Sequence, residues 1–314
     1  MVPVPANSKP SRVSAKKSHD GASGDAAPES RAAKLTVKLA ELVQKMPGSM
    51  SEDEVHKLRT TVRRVEVVLQ GARDGRGKAK LDEQLKTLRK RAGKVRDLDV
   101  HLGMLKELVS AEQRACDELH TYLKDKRAKQ AKKLEKIIES EVDDGLEKRL
   151  KRASAAVHQE APDLTRGEER LAKVRGRYLS MTTDIPEDGA ALHQLRIDCK
   201  RLRYEVEALA PEEDTKPANA LEAHAAELVE QMKRVQDEIG EWHDWLTLHE
   251  AAVKHLRGPH AAALVALLRT RTATHYHDAR RTVAEVRSLL QGVIIFKKPS
   301  KAAGRPMQGQ HLAV

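Results

Sequence analysis

LHQLRIDCKRLRYEV, residues 192–206, and VHKLRTTVRRVEVVL, residues 55–69, decide the fold between them. Laid together, His56 falls on His193, Leu58 on Leu195, Arg59 on Arg196, Arg63 on Lys200 and Arg64 on Arg201, all at one constant spacing. On a helix turning about 100° per residue, Val55, Leu58, Val62, Val65 and Leu69 share one face. Apolar residues every three or four positions predict an amphipathic helix with that face in a core. His56, Arg59 and Arg63 lie within roughly 60° of each other on the adjoining face. In the second stretch His193, Arg196, Lys200 and Arg203 draw the same line. Cys199 falls on the apolar side and reads as a core thiol rather than a nucleophile.

A second match lies downstream of each stretch. Gly93 to Asp97 (GKVRD) falls on Gly240 to Asp244 (GEWHD), at a slightly longer offset, as a difference in loop length would give. Lys86, Arg89, Lys90 and Arg96 sit opposite a face of Leu81, Leu85, Leu88, Val95, Leu98, Leu102 and Leu105. Lys233 and His243 stand at the positions matching Lys86 and Arg96. Four helices thus carry an ordered basic stripe beside a core face, and the order of parts repeats, which points to duplication. Asp97 and Asp244 are expected to bridge to neighbouring arginines rather than to hold a metal.

Outward from these motifs the signal stays helical. Ala33, Leu35, Leu39 and Leu42 open an amphipathic segment that Pro47-Gly48 stops. Ser51 and Glu54 form a capping-box pattern for the next helix. Gly71 to Gly77 breaks the chain before a helix expected from about Ala79 to Leu108. Residues 111–158 read as one long Lys-rich helix ended by Pro162, and further helices are expected over 165–180, 188–210, 219–257 and 259–292. Only Val293 to Phe296 is β-like. Residues 1–30 and 296–314 are rich in small, polar and basic residues and are expected to be disordered, since they cannot bury enough apolar surface to offset ordering entropy.

Composition narrows the function. The formal net charge of the 314-residue chain is +11, which favours anionic partners. Aromatics are 2%, few for strands and few for stacking single-stranded bases. Two cysteines, Cys116 and Cys199, are too few for a disulfide framework or a Cys-rich zinc site. No secretory leader and no membrane-spanning run is read, so a cytoplasmic location is expected. The stripes have a bland reading, as solvated helix faces with local ion pairs. Against it stand their recurrence in both halves, the use of Arg, whose fork suits phosphate oxygens, and a histidine set among arginines. One exposed ion pair contributes about 0.2–1 kcal/mol, so about ten aligned cations on a linear polyanion give several kcal/mol, helped by counterion release. His56 and His193 are expected to touch the ligand or orient the motif.

The two histidine-led helices, each followed by a Gly-x-x-[Arg/His]-Asp segment, resemble the CHAD family, a histidine-marked α-helical domain, over about residues 31–295. That resemblance implies an all-α fold of two four-helix bundles related by a pseudo-twofold axis, the first half about 31–160 and the second about 165–295. It implies non-catalytic binding of inorganic polyphosphate in a central basic pore or groove, and association with polyphosphate granules. Carried over residue by residue, the contacts are His56, Arg59, Arg63, Arg64, His193, Arg196, Lys200, Arg201 and Arg203, with Lys86, Arg89, Lys90, Arg96, Lys233 and His243 downstream. His243 departs from the arginine of the first half, which bears on phosphate contact and its pH dependence. No cofactor, metal or catalytic residue is implied. Many such domains follow a triphosphate-tunnel barrel; only residues 1–30 precede the helices here, so a binding module standing alone is expected. Two alternatives remain: a non-specific nucleic-acid binder, for which the Lys-rich stretch 124–136 offers a grip, and an all-α metal-dependent phosphohydrolase, suggested by the His243-Asp244 pair alone.

Overall fold

The structure, a computed structural model, describes residues 30–48, 50–69, 77–108, 113–141, 145–157, 164–211 and 215–292. Residues 1–29, the 296–314 tail and the β-like Val293–Phe296 lie outside them. The described residues form nine helices and no strand: α1 (Arg31–Lys45), α2 (Glu52–Val68), α3 (Lys78–Glu107), α4 (Gln113–Glu141), α5 (Gly145–Ala155), α6 (Leu164–Met181), α7 (Gly189–Glu207), α8 (Ala220–His255) and α9 (Pro259–Gly292).

Helix starts follow local chemistry. Ser51 and Glu54 form the expected capping box at α2, and Asp188 and Asn219 accept from the backbone N–H three residues on to start α7 and α8. Such caps satisfy donors that the first turn leaves free. Gly48 and Gly258 close α1 and α8 at φ of 86° and 88°, a left-handed backbone that favours glycine.

The chain was expected to run as one helix over 111–158, but it is two. α4 ends at Glu141 and α5 begins at Gly145, and they serve different neighbours: α4 packs on α3 and α9, α5 on α1 and α3. Between them the sequence reads Val142, Asp143, Asp144, and aspartate is a weak helix former. In α1 the inward face centres on Ala32, Thr36, Leu39, Ala40 and Val43, with Leu35 only packed against its edge. The helix, held between α2 and α5, buries small residues that the leucine spacing did not weigh.

Three apolar clusters hold the helices. One joins α1, α2, the first part of α3, the end of α4, and α5, and it contains Val55, Leu58, Val62, Val65 and Leu69 at no more than 1% exposure. A second joins α6, α7, the first part of α8 and the end of α9, around Leu192, Leu195, Cys199, Leu202, Val206 and Tyr178. The Tyr178 hydroxyl donates to the Val283 carbonyl, which satisfies the polar end of that buried ring. Between them lies a third cluster, built from Leu98 and Leu105 of α3, Leu119 and Leu123 of α4, Trp245 and Leu248 of α8, and Leu264 and Leu268 of α9. Two long hairpins, α3–α4 and α8–α9, meet in it and bind one half to the other.

Candidate functional site: a paired basic cluster

α2 packs on α3 and α7 on α8, while α3 and α8 touch each other. The basic lines of α2 and α7 therefore flank one seam, and their charges act on each other across it. Arg59 and Arg63 of α2 feel Arg196 of α7, and Lys200 feels Arg59, Arg63 and Arg89. Sequence spacing drew each line; the third core brings them together.

The Gly-to-Asp motif has a steric use at this seam. Arg59 lies over Gly93 and Arg196 over Gly240: a Cβ on Gly93 would stand 3.8 Å from Arg59 Nε, and one on Gly240 only 3.0 Å from Arg196 Nη2. Glycine inside a helix costs about 1 kcal/mol against alanine; at Gly240 that cost admits a guanidinium against the backbone, while at Gly93 a Cβ would make only ordinary contact. Arg196 Nε donates to the Gln236 carbonyl oxygen at 3.3 Å. One turn beyond each glycine stands the aspartate. Asp97 lies 4.0 Å from Arg59 at the open edge of the seam, its side chain 61% exposed. Asp244 is half-buried, and burial raises its carboxyl pKa to about 6 despite Arg196, with Asp97 adding like-charge repulsion. Asp97 thus meets its expected arginine at the limit of an ion pair, while Asp244 feels Arg196, Asp97 and Arg59 only through their charge.

Deeper in the seam the cations are crowded. Burial, then Arg59, lowers Arg63 to about 10. Burial, then Arg63, Arg59, Arg196 and Arg89, lowers the Lys200 ammonium to about 7. The buried Nε of Arg59, Arg63 and Arg203 and the Nδ1 of His193 have no hydrogen-bond partner. Buried donors without acceptors are rare in folded proteins. Here they accompany positive charge that few carboxylates offset, a setting that favours an anionic acceptor.

The histidines frame this cluster. His56, exposed at the start of α2, has its pKa lowered by desolvation and by Arg96. Arg96 Nη1 in turn donates to Glu52 at 2.7 Å. At the equivalent place His193 and His243 set their rings 4.6 Å apart. Burial, then His193 and Arg196, lowers His243. Arg89 reaches the cluster but is tied to Glu66 at 2.8 Å.

Other predicted residues stand apart. Arg201 is on an exposed side, paired with Asp198 at 3.1 Å, and Arg64, its equivalent in the repeat, lies about 140° around α2 from Arg59. Lys86 pairs with Glu83 and Lys233 lies 3.9 Å from Glu230, while Lys90 is exposed.

Sequence reasoning missed two contributors. The Tyr204 ring lies under Arg203 and Lys200, at 5.0 and 5.8 Å from its centroid, within cation–π reach. Its place one turn beyond Lys200 was the available signal. His101 is buried, binds Thr247 Oγ1 at 2.9 Å and is lowered to about 4 by desolvation, so it is a neutral tie between α3 and α8. Among the described residues no group of three or more His, Cys, Asp or Glu is placed to hold a metal ion. His243-Asp244, the pair behind the phosphohydrolase reading, is in no such group among the described residues. Nor is any described helix long and apolar enough to cross a membrane.

No curated protein matches the chain. Among solved structures, the crystal structure of the CHAD domain from the plant Ricinus communis superposes with a TM-score of 0.58 at 15% identity, covering 84% of this chain and 90% of that one. At that identity the likeness speaks for the fold alone. The sequence profile of the CHAD domain matches residues 33–253, which takes in both histidine-led helices and both Gly-to-Asp segments. On that match and that fold, the chain belongs to the CHAD domain family.

Proposed function

We propose that the chain is a non-catalytic binder of inorganic polyphosphate, held along the α2–α7 seam, acting in the cytoplasm in association with polyphosphate granules. One observation carries the reading: half-buried cations from both halves converge while the Nε of Arg59, Arg63 and Arg203 has no acceptor. A linear chain of phosphates supplies both missing elements, negative charge and a succession of acceptor oxygens, and arginine forks suit those oxygens. Family membership supports the ligand class.

The test is a titration of the full chain with long-chain polyphosphate at about 150 mM salt, beside an Arg59→Gln/Arg63→Gln/Lys200→Gln variant. Loss of at least tenfold in affinity with helicity intact is expected. Unchanged binding by the variant overturns the site, and measurable release of orthophosphate from polyphosphate overturns the non-catalytic reading.

A further inference from the structure

Outside the seam, α4 carries a second concentration of charge. Lys126, Lys129, Lys132, Lys133 and Lys136 are exposed, and at about 100° per residue they share a face roughly 120° wide. The opposite side, Leu119, Leu123, Ala131, Leu134 and Ile138, is buried in the cores. The lysines therefore crown a convex ridge about 15 Å long, at 1.5 Å per residue. Asp125 bounds the ridge at one end and Glu139 at the other. None of the five lysines forms an ion pair with a described residue, although Asp125 stands four positions before Lys129 and Glu139 three after Lys136. The carboxylate inside the run, Glu135, is turned away and accepts from the Gly48 N–H at 3.2 Å. Arg127, the one arginine in the run, also turns inward, donating to Asp99 and to the Met50 carbonyl.

The contrast with the seam is chemical as well as positional. The seam is half-buried and rich in arginine, whose forks suit the oxygens of a thin single chain. The ridge is convex and made of lysine, a hydrated point charge that does not demand bidentate geometry. A rigid rod with closely spaced phosphates can lie on such a ridge, whereas the Nε atoms of Arg59, Arg63 and Arg203 in the seam are buried from its reach. The near absence of exposed aromatic rings removes base stacking, which single strands need and duplexes do not. We infer that the α4 lysine ridge is a separate docking surface for duplex nucleic acid, bound through its phosphate backbone without regard to sequence. This does not depend on what the seam holds.

The experiment follows a labelled 20-base-pair duplex of mixed sequence by anisotropy, with the full chain, from 50 to 200 mM KCl. Five phosphate contacts give a slope of log K on log salt of about −4.5, a loss of about 500-fold over that range. The variant Lys126→Gln/Lys129→Gln/Lys132→Gln/Lys133→Gln/Lys136→Gln should lose at least 100-fold at 50 mM KCl and nearly all of the slope. It should keep its circular dichroism and polyphosphate affinity. The corresponding five Lys→Arg changes should restore duplex binding, and the Arg59→Gln/Arg63→Gln/Lys200→Gln variant should bind duplex as wild type does. The inference is overturned if the wild type does not bind duplex at 50 mM KCl, if the five Gln changes leave the slope intact, or if the seam variant is the one that loses duplex.

Discussion

Arg196 crosses α8 directly over Gly240, so closely that a Cβ there would stand 3.0 Å from Nη2. The guanidinium is the movable partner, because it ends a flexible side chain. Gly240→Ala should therefore keep the fold and gain helix propensity, raising Tm by about 1–3 °C, while displacing Arg196 and weakening polyphosphate binding several-fold. Gly93→Ala, with 3.8 Å to Arg59, should gain stability without loss of binding. Melting curves and polyphosphate titrations on both variants check this, and equal binding by the two would refute a steric role for Gly240.

Polyphosphate binding should take up protons near neutral pH. Lys200 is lowered to about 7 and Asp244 raised to about 6, each mainly by burial. A bound polyanion favours the protonated form of both, so affinity falls as pH rises through this window, by about tenfold between pH 6 and 8 for one such group. Calorimetry at pH 7 in buffers of different ionisation enthalpy should show uptake of about half a proton from Lys200. Lys200→Arg should keep the binding and lose that share. Uptake unchanged in Lys200→Arg would exclude Lys200 as the coupled group.

Stability should move the opposite way from function within the cluster. A lysine whose pKa is lowered by burial and then by neighbouring arginines destabilises the fold below about pH 7, and that penalty is relieved as pH rises from 7 towards its ordinary value. Lys200→Met should therefore raise stability at pH 6 by about 1 kcal/mol and have less effect at pH 9, while polyphosphate affinity drops. Denaturant titrations at the two pH values read the difference directly; a destabilised variant at pH 6 would mean that Lys200 has a partner in the folded chain.

Asp99 and Arg127 make a tie of another kind. Asp99 is 4% exposed and accepts from Arg127 Nε at 2.7 Å, while Arg127 Nη2 donates to the Met50 carbonyl at 2.6 Å. Asp99→Ala strands a largely buried guanidinium and should cost about 3 kcal/mol, visible as a lower denaturation midpoint. Polyphosphate affinity, measured well below the melting temperature, should stay within twofold. A cost under about 1 kcal/mol would show that water replaces the carboxylate.

Much of this was legible in local spacing. The faces of α2, α3, α7 and α8 follow from apolar residues every three or four positions, and Val55, Leu58 and Leu195 lie where that rule puts them. So does the inward place of Cys199, whose thiol burial pushes up to about 12. The line His56–Arg59–Arg63 could be drawn for the same reason. Spacing could not show that this line meets Arg196 and Lys200, because that depends on packing between α3 and α8, far apart in sequence. Nor could it separate Lys200 from Arg201: adjacent residues point about 100° apart, and only the fold says which side is open. Arg201 and Lys86 found carboxylates one turn away, which residue type alone does not reveal. The 111–158 stretch misled because charge and Lys content say nothing about where a helix changes neighbours.

The third apolar cluster has a consequence for the chain's origin and assembly. Cut between the halves, the first would present Leu98, Leu105, Leu119 and Leu123 to water, and the second Trp245, Leu248, Leu264 and Leu268. Neither surface is tolerable alone, and each is covered by something much like itself. An unduplicated ancestor could bury it only by pairing two subunits, and that pairing would have built the cation seam at the dimer interface. Within one chain the same encounter is a fold rather than an assembly, which leaves the two copies of the motif free to differ, as Arg96 and His243 do.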